Sequence, residues 1–188
     1  MLAFPIRPHS DGRPQVMGIV NVTPDSFSDG GRHASTQAAR DHGLALLDAG
    51  ADCLDVGGES TRPGAEPVSE SEELDRVAPV IEAILEERPD TPISIDTMKP
   101  GVARAAVHAG ASLWNDVNAL RADTAPETAM ELGVPVCLMH MQGEPRTMQA
   151  APHYDDVVND VARYLGQRAG VLLATGFDRD LIVLDPGI

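Results

Sequence analysis

Asp96, Asn115 and Asp185 each close a short apolar run, and side chains of these types share one chemistry there. A carboxylate accepts two hydrogen bonds at once, and an Asn amide offers both a donor and an acceptor. Together they match the edge of a planar heterocycle with adjacent ring N–H and amino groups. Each taken singly reads as a helix cap, whereas three in one arrangement point to a ligand, because buried carboxylates are costly without a partner. Asn21 closes another such run, and with Ser26 and Ser28 it offers oxygens to a hydrated cation or a phosphate. Phe27 is unusual in so polar a loop and is suited to close over a flat substrate. Ser60, Thr61 and Arg62 add hydroxyls and a guanidinium fit for an acid or an anion, beside glycines that permit close backbone approach. His140 has no His-x-His or Glu-x-x-His spacing, which argues against a zinc hydrolase. It reads as a hydrogen-bonded structural residue, with a flanking Met139 or Met141 flooring a pocket. Lys99 is the sole lysine and falls in a loop, a poor place for a Schiff base.

The elements that must position these residues follow from the apolar runs 16–20, 53–56, 93–95, 113–114, 136–139 and 181–184. Near-continuous Val/Ile/Leu runs are the pattern of parallel strands covered on both faces. Helical patterns lie between most of them, so right-handed crossovers bring every C-terminal strand end to one rim. Ser35 is the expected cap of a first helix closed by Gly50, and Ser69 with Glu72 resembles a capping box. Leu74, Val77, Ala78, Ile81, Ile84 and Leu85 follow at helical spacing, with Pro79 expected to kink that helix or weaken its first turns. Pro100 suits the first turn of a third helix, and shorter and longer helices are expected around 126–132 and from Val157 to Gly176. Residues 1–14 read as a lead-in with a hairpin at Asp11-Gly12. An eight-stranded barrel typically takes about 250 residues. Long loops after the first two strands favour the first three-quarters of such a barrel over an open sheet.

At 188 residues and 43% hydrophobic composition, the chain supports one core, read as a single domain over 1–188. No apolar stretch approaches a membrane span, and no signal-peptide layout precedes the first strand. Cys53 and Cys137 lie inside strands without a Cys-x-x-Cys, which reads as reduced thiols and a cytoplasmic protein. A net charge of −15 argues against a nucleic-acid surface. It also requires that any anionic substrate be held by local basic groups or a cation.

Residues 21–31 (NVTPDSFSDGG) and 55–64 (DVGGESTRPG) resemble the dihydropteroate synthases of bacterial folate biosynthesis. So do 94–97 (SIDT), Asn115-Asp116, 138–142 (LMHMQ) and 184–187 (LDPG), in the family's order along the whole chain. The resemblance implies an α/β fold, the (β/α)8 TIM barrel, with about six of its eight units in this chain. It implies condensation of a hydroxymethyl-dihydropterin pyrophosphate with 4-aminobenzoate, with Mg²⁺ as cofactor and pyrophosphate released. Matched by position, Asn21 would meet the Mg²⁺–pyrophosphate. Asp96, Asn115 and Asp185 would hold the pterin edge, with Met139 in its pocket, and Asp96 and Asp185 would be the catalytic carboxylates. Thr61 would contact the pterin substrate, and Phe27, Arg62 and Pro63 would help form the aminobenzoate site. The expected partners are these small molecules, with neither nucleic acid nor membrane, and a homodimer of the full-length protein.

The family pattern continues past Gly187 into a Gly-Phe-Gly-Lys segment, a lysine after strand seven and an Arg-x-His on strand eight. Residues 1–188 alone are therefore expected to be inactive and to aggregate or pair through the edges of strands one and six. Two rival readings are a pterin-binding methyltransferase domain carrying methyltetrahydrofolate and an inactive truncated fragment. The loops 22–33 and 60–68 are expected to order when both substrates bind.

Overall fold

The computed structural model describes residues 4, 7–23, 31–60, 67–144, 148 and 151–187, with only the backbone of 31–34. Its strands are β1 (Met17–Asn21), β2 (Cys53–Gly57), β3 (Ile93–Asp96), β4 (Leu113–Asp116), β5 (Val136–Met139) and β6 (Ile182–Asp185). Between them run α1 (Gly31–Asp48), α2 (Glu70–Glu87), α3 (Pro100–His108), α4 (Ala125–Leu132) and α5 (Val157–Ala174). All strand pairs are parallel, and the order across the sheet is β1-β2-β3-β4-β5-β6. A doubly wound sheet reverses its order at a switch point; a sequential order with helical crossovers is that of a (β/α)8 barrel wall.

Strand periodicity divides the side chains between two sides. Val20, Leu54, Val56, Ile93, Ile95, Trp114, Val136 and Leu138 face the helices and form the main core. The opposite side carries Asn21, Asp55, Asp96, Asn115 and Cys137, so the polar residues share the barrel's interior. At the N-terminal end of the strands, Phe4 from the lead-in packs on Cys53 and Leu113. The expected turn in that lead-in is present: Gly12 N–H donates to His9 O at 2.8 Å with φ of +83°.

Helix boundaries bear out most of the sequence reading. Ser69 caps α2, its hydroxyl accepting from Glu72 N–H at 3.2 Å. Glu72 does not complete the box; its Oε1 accepts from Arg76 Nη2 instead. The helix runs unbroken through Pro79. Burial of Val77, Val80, Ile81 and Ile84 outweighs a penalty of about 3 kcal/mol for an interior proline. Ser35 does not begin α1, which starts at Gly31 and places Ser35 inside its second turn. Strand β6 is displaced by one residue from expectation because Arg179–Leu181 forms a 3₁₀ turn, capped by the Asp178 carboxylate.

β1 and β6 are the sheet's edges among the described residues, and Met17, Ile19 and Leu184 on them are exposed. No described helix is long and apolar enough to cross a membrane.

Candidate functional site

The parallel register sets Asn21 beside Gly57, Gly57 beside Asp96, Asp96 beside Asn115, and Asn115 beside Cys137. With strands about 4.8 Å apart, this is one continuous row across the interior. Met139 and Asp185 pair with each other two residues further along their strands, toward the C-terminal rim. Thus Asn21, Asp96, Asn115, Met139 and Asp185 come from five strands onto one rim. Phe27, Thr61, Arg62 and Pro63 lie outside the described residues.

Gly57 leaves the space that Asp96 occupies, since a Cβ there would stand 3.3 Å from Asp96 Oδ2. Trp114 Nε1 donates to Thr97 O at 2.8 Å, and Thr97 N–H to Asn115 O at 3.1 Å, tying the ends of β3 and β4 together. Asp185 Oδ1 accepts from Gly187 N–H at 2.8 Å, and the Asp185 carbonyl accepts from His140 N–H at the same length. Gly187 has φ of +70°, and a Cβ would sit 2.2 Å from His140 O, so only glycine permits this turn without a shift. His140, expected to be a hydrogen-bonded structural residue, is buried with its ring edge-on to Tyr164, centroids 5.1 Å apart, and its hydrogen bond among the described residues is from the backbone N–H.

Three features of the site escaped the sequence reading. The first is Asp55, one layer below Asp96, whose Oδ2 accepts from Asn115 Nδ2 at 3.1 Å and whose buried Oδ1 has no partner. Burial raises its pKa, offset in part by the facing Ser94 hydroxyl and the Asn115 amide. Burial, then the carboxylates of Asp55, Asp116, Glu73 and Glu59, push Asp96 well above the usual carboxylate range. The Cys137 thiol records the same enclosure: burial, then Asp185, Asp55, Asp116 and Asp96, push it up to about 12. A signal for Asp55 existed, since it interrupts an otherwise apolar strand two residues from Gly57.

The second is the turn after Asn115. Asp116 accepts from the N–H groups of Asn118 and Leu120, both at 2.7 Å. Arg168 reaches from α5 to the carbonyls of Ala119 and Leu120, which have φ of 51° and 55°. Two non-glycine residues held left-handed mark a strained turn, kept in place by these four bonds. Burial pushes Asp116 up to about 6, against the pull of those N–H groups, Arg121 and Arg168. A raised native pKa makes the charged form unfavourable in the fold, so Asp116 destabilises increasingly as pH rises from about 4 through about 6. Unfolding measured across that window is expected to show wild type losing up to about 3 kcal/mol relative to Asp116→Asn. A difference that does not vary with pH would contradict this.

The third is an ion cluster. Lys99 Nζ donates to both Glu59 Oε2 and Glu73 Oε2, with Glu73 fully buried on α2. Burial would lower the Lys99 pKa, but the two carboxylates outweigh it and hold the ammonium above its usual range. A protonated, doubly paired lysine is unsuited to Schiff-base chemistry. Glu59 Oε1 also accepts from Val68 N–H, so the cluster ties the two ends of the second loop to the start of α3.

A cavity of about 630 Å³ reaches this rim from beneath, running from Phe4, Cys53 and Leu113 up to Asn115 and Asp185. Among the described residues no three His, Cys, Asp or Glu side chains gather as a metal cage.

Comparison with known proteins agrees with this geometry. The family described as "Pterin binding enzyme" matches residues 17–188. The dihydropteroate synthase of Escherichia coli K12 is 53% identical over 174 residues, covering 93% of this chain and 61% of its own length. The Xanthomonas albilineans dihydropteroate synthase with 4-aminobenzoic acid superposes with a TM-score of 0.85 at 55% identity, over 93% of this chain and 62% of that one. A structure of the X. albilineans enzyme with 7,8-dihydropteroate gives 0.81 at 50% identity, over 94% and 61%. The chain thus spans about three-fifths of the length of these relatives. With its carboxylates and amide gathered on one barrel rim, and with a family match over nearly its whole length, the chain belongs to the pterin-binding enzymes.

Proposed function

We propose that the protein carrying this chain is a dihydropteroate synthase. It would join 6-hydroxymethyl-7,8-dihydropterin pyrophosphate to 4-aminobenzoate, giving 7,8-dihydropteroate and pyrophosphate. The observation that carries this reading is the interior row of Asp96 and Asn115 with Asp185 on the same rim. The relatives' complexes with 4-aminobenzoic acid and 7,8-dihydropteroate support it.

In the reaction, the C–O bond to the pyrophosphate breaks, the aminobenzoate nitrogen forms a bond to that carbon, and the amine gives up a proton. Asp96 and Asp185 would accept hydrogen bonds from the pterin edge and favour the positive charge that develops on the ring. Asn115 would complete that edge, and Met139, paired in register with Asp185, would pack against the ring. Thr61 would contact the pterin substrate, while Phe27, Arg62 and Pro63 would form the aminobenzoate site. Positioning and electrostatics would supply most of the rate.

Asn21 stands at the rim end of β1, exposed, as a single hard oxygen donor. That suits Mg²⁺, which keeps several waters and commonly binds one or two protein groups plus substrate phosphates. When bound, the ion would neutralise charge on the leaving pyrophosphate. Lys99 is paired to Glu59 and Glu73 and is not free to take the pyrophosphate.

We place the protein in the cytosol, supported by its free Cys53 and Cys137. A homodimer is the proposed assembly; Val158, Val171 and Leu173 on α5 offer exposed apolar surface for further chain or a second copy.

The test is pyrophosphate release by the complete protein with and without 4-aminobenzoate. Release that depends on aminobenzoate and yields dihydropteroate is expected. Tight binding of methyltetrahydrofolate with no response to the pterin pyrophosphate would overturn the reading in favour of a methyltransferase.

A further inference from the structure

Asp55 is 5% exposed, yet its carboxylate accepts one hydrogen bond of good geometry, from Asn115 Nδ2, while its Oδ1 and the Ser94 hydroxyl opposite it on β3 are both left unpartnered. Stability does not explain such a residue. A buried carboxylate is held against a desolvation penalty of several kcal/mol, and an amide or apolar side chain avoids it. Its consequence lies in the neighbour. An ionised carboxylate can only accept, so it fixes which end of the Asn115 amide faces it. Nδ2 is turned inward to Asp55, and Oδ1 receives no hydrogen bond from the described residues.

We propose that Asp55 is a positioning residue that locks the Asn115 amide, so that a ligand edge read at Asn115 Oδ1 must present an N–H. This rests on the pterin reading and deepens it, because it assigns the polarity of recognition to a residue that need not touch the ligand. An amide at position 55 can both donate and accept, so Asp55→Asn lets the Asn115 side chain turn over. The fold itself loses nothing by the change, since a buried charge with an unpartnered oxygen is removed.

The experiment is a comparison of wild type, Asp55→Asn, Asn115→Ala and the double variant in the complete protein. Two-dimensional NMR of the Asn115 side-chain amide, without ligand, reads the lock directly. The expected result is a clear shift of that amide pair in Asp55→Asn, with Tm unchanged or higher. Calorimetry with 7,8-dihydropterin is expected to show about tenfold weaker binding in Asp55→Asn, and much less change from the same substitution in the Asn115→Ala background. An unmoved Asn115 amide would overturn the proposal, and so would equal losses in the two backgrounds. A wild type that binds no dihydropterin would count against the pterin reading alone, and the amide resonances would still decide the role of Asp55.

Discussion

Replacing Asp96 or Asp185 by Asn in the complete protein is expected to weaken pterin binding by about 1–3 kcal/mol or more. Both residues end strands on one rim, and each would accept from the ligand. Asn keeps the shape but substitutes a donor for one acceptor, leaving a ligand N–H opposed by an amide N–H in a water-poor site. The two variants should differ in one respect. Burial and four neighbouring carboxylates raise Asp96 well above its ordinary range. Its ionised form, the better acceptor, is therefore populated only as pH rises through that raised value. Wild-type affinity is expected to fall on acidification, and Asp96→Asn to flatten that part of the profile. Calorimetry across pH checks both points, and unchanged affinity in both variants would remove these residues from the site.

Lys99→Met is expected to destabilise the fold by about 3–5 kcal/mol, the range for breaking a buried ion pair by removing one partner. The loss is large because Lys99 is bonded to two carboxylates, and Glu73 is fully buried with Oε1 already unpartnered. Without the ammonium, Glu59 and Glu73 face each other with like charge. Adding Glu73→Gln should recover part of the loss, since the double variant leaves one carboxylate with an exit to solvent. Denaturant unfolding of the single and double variants decides it, and full stability in Lys99→Met would show that the cluster contributes nothing. Gly58 reinforces the same region: a Cβ there would meet Val77 Cγ1 at 2.8 Å and Glu73 Cγ at 2.9 Å, so the second loop lies directly on α2.

Strand order and the shared rim were legible because they depend on local pattern. Short Val/Ile/Leu runs separated by helical periodicity admit few topologies once crossovers are right-handed. The ends at Asn21, Asp96, Asn115 and Asp185 then fall together as a consequence. The rim position of Met139 beside Asp185 followed for the same reason. Helix starts were less so: Ser35 is a good cap by type, but α1 begins at Gly31. No local signal marks that start, since Gly31 and His33 are weak helix formers. Pro79 was read by a local rule, and the packed apolar face of α2 overrode it.

The sequence by itself determined the architecture, the family and which side chains end each strand, because these follow from periodicity and from motifs contiguous in the chain. Only the tertiary structure decided how those side chains act on one another. Asp55 lies 60 residues from Asn115, and Lys99 lies 40 from Glu59 and 26 from Glu73. Arg168 reaches back 49 residues to hold Ala119. Which carboxylate is partnered, which is left bare and which has its pKa raised depend on register and burial across strands. A sum over distant neighbours in a low-dielectric interior has no counterpart in local sequence.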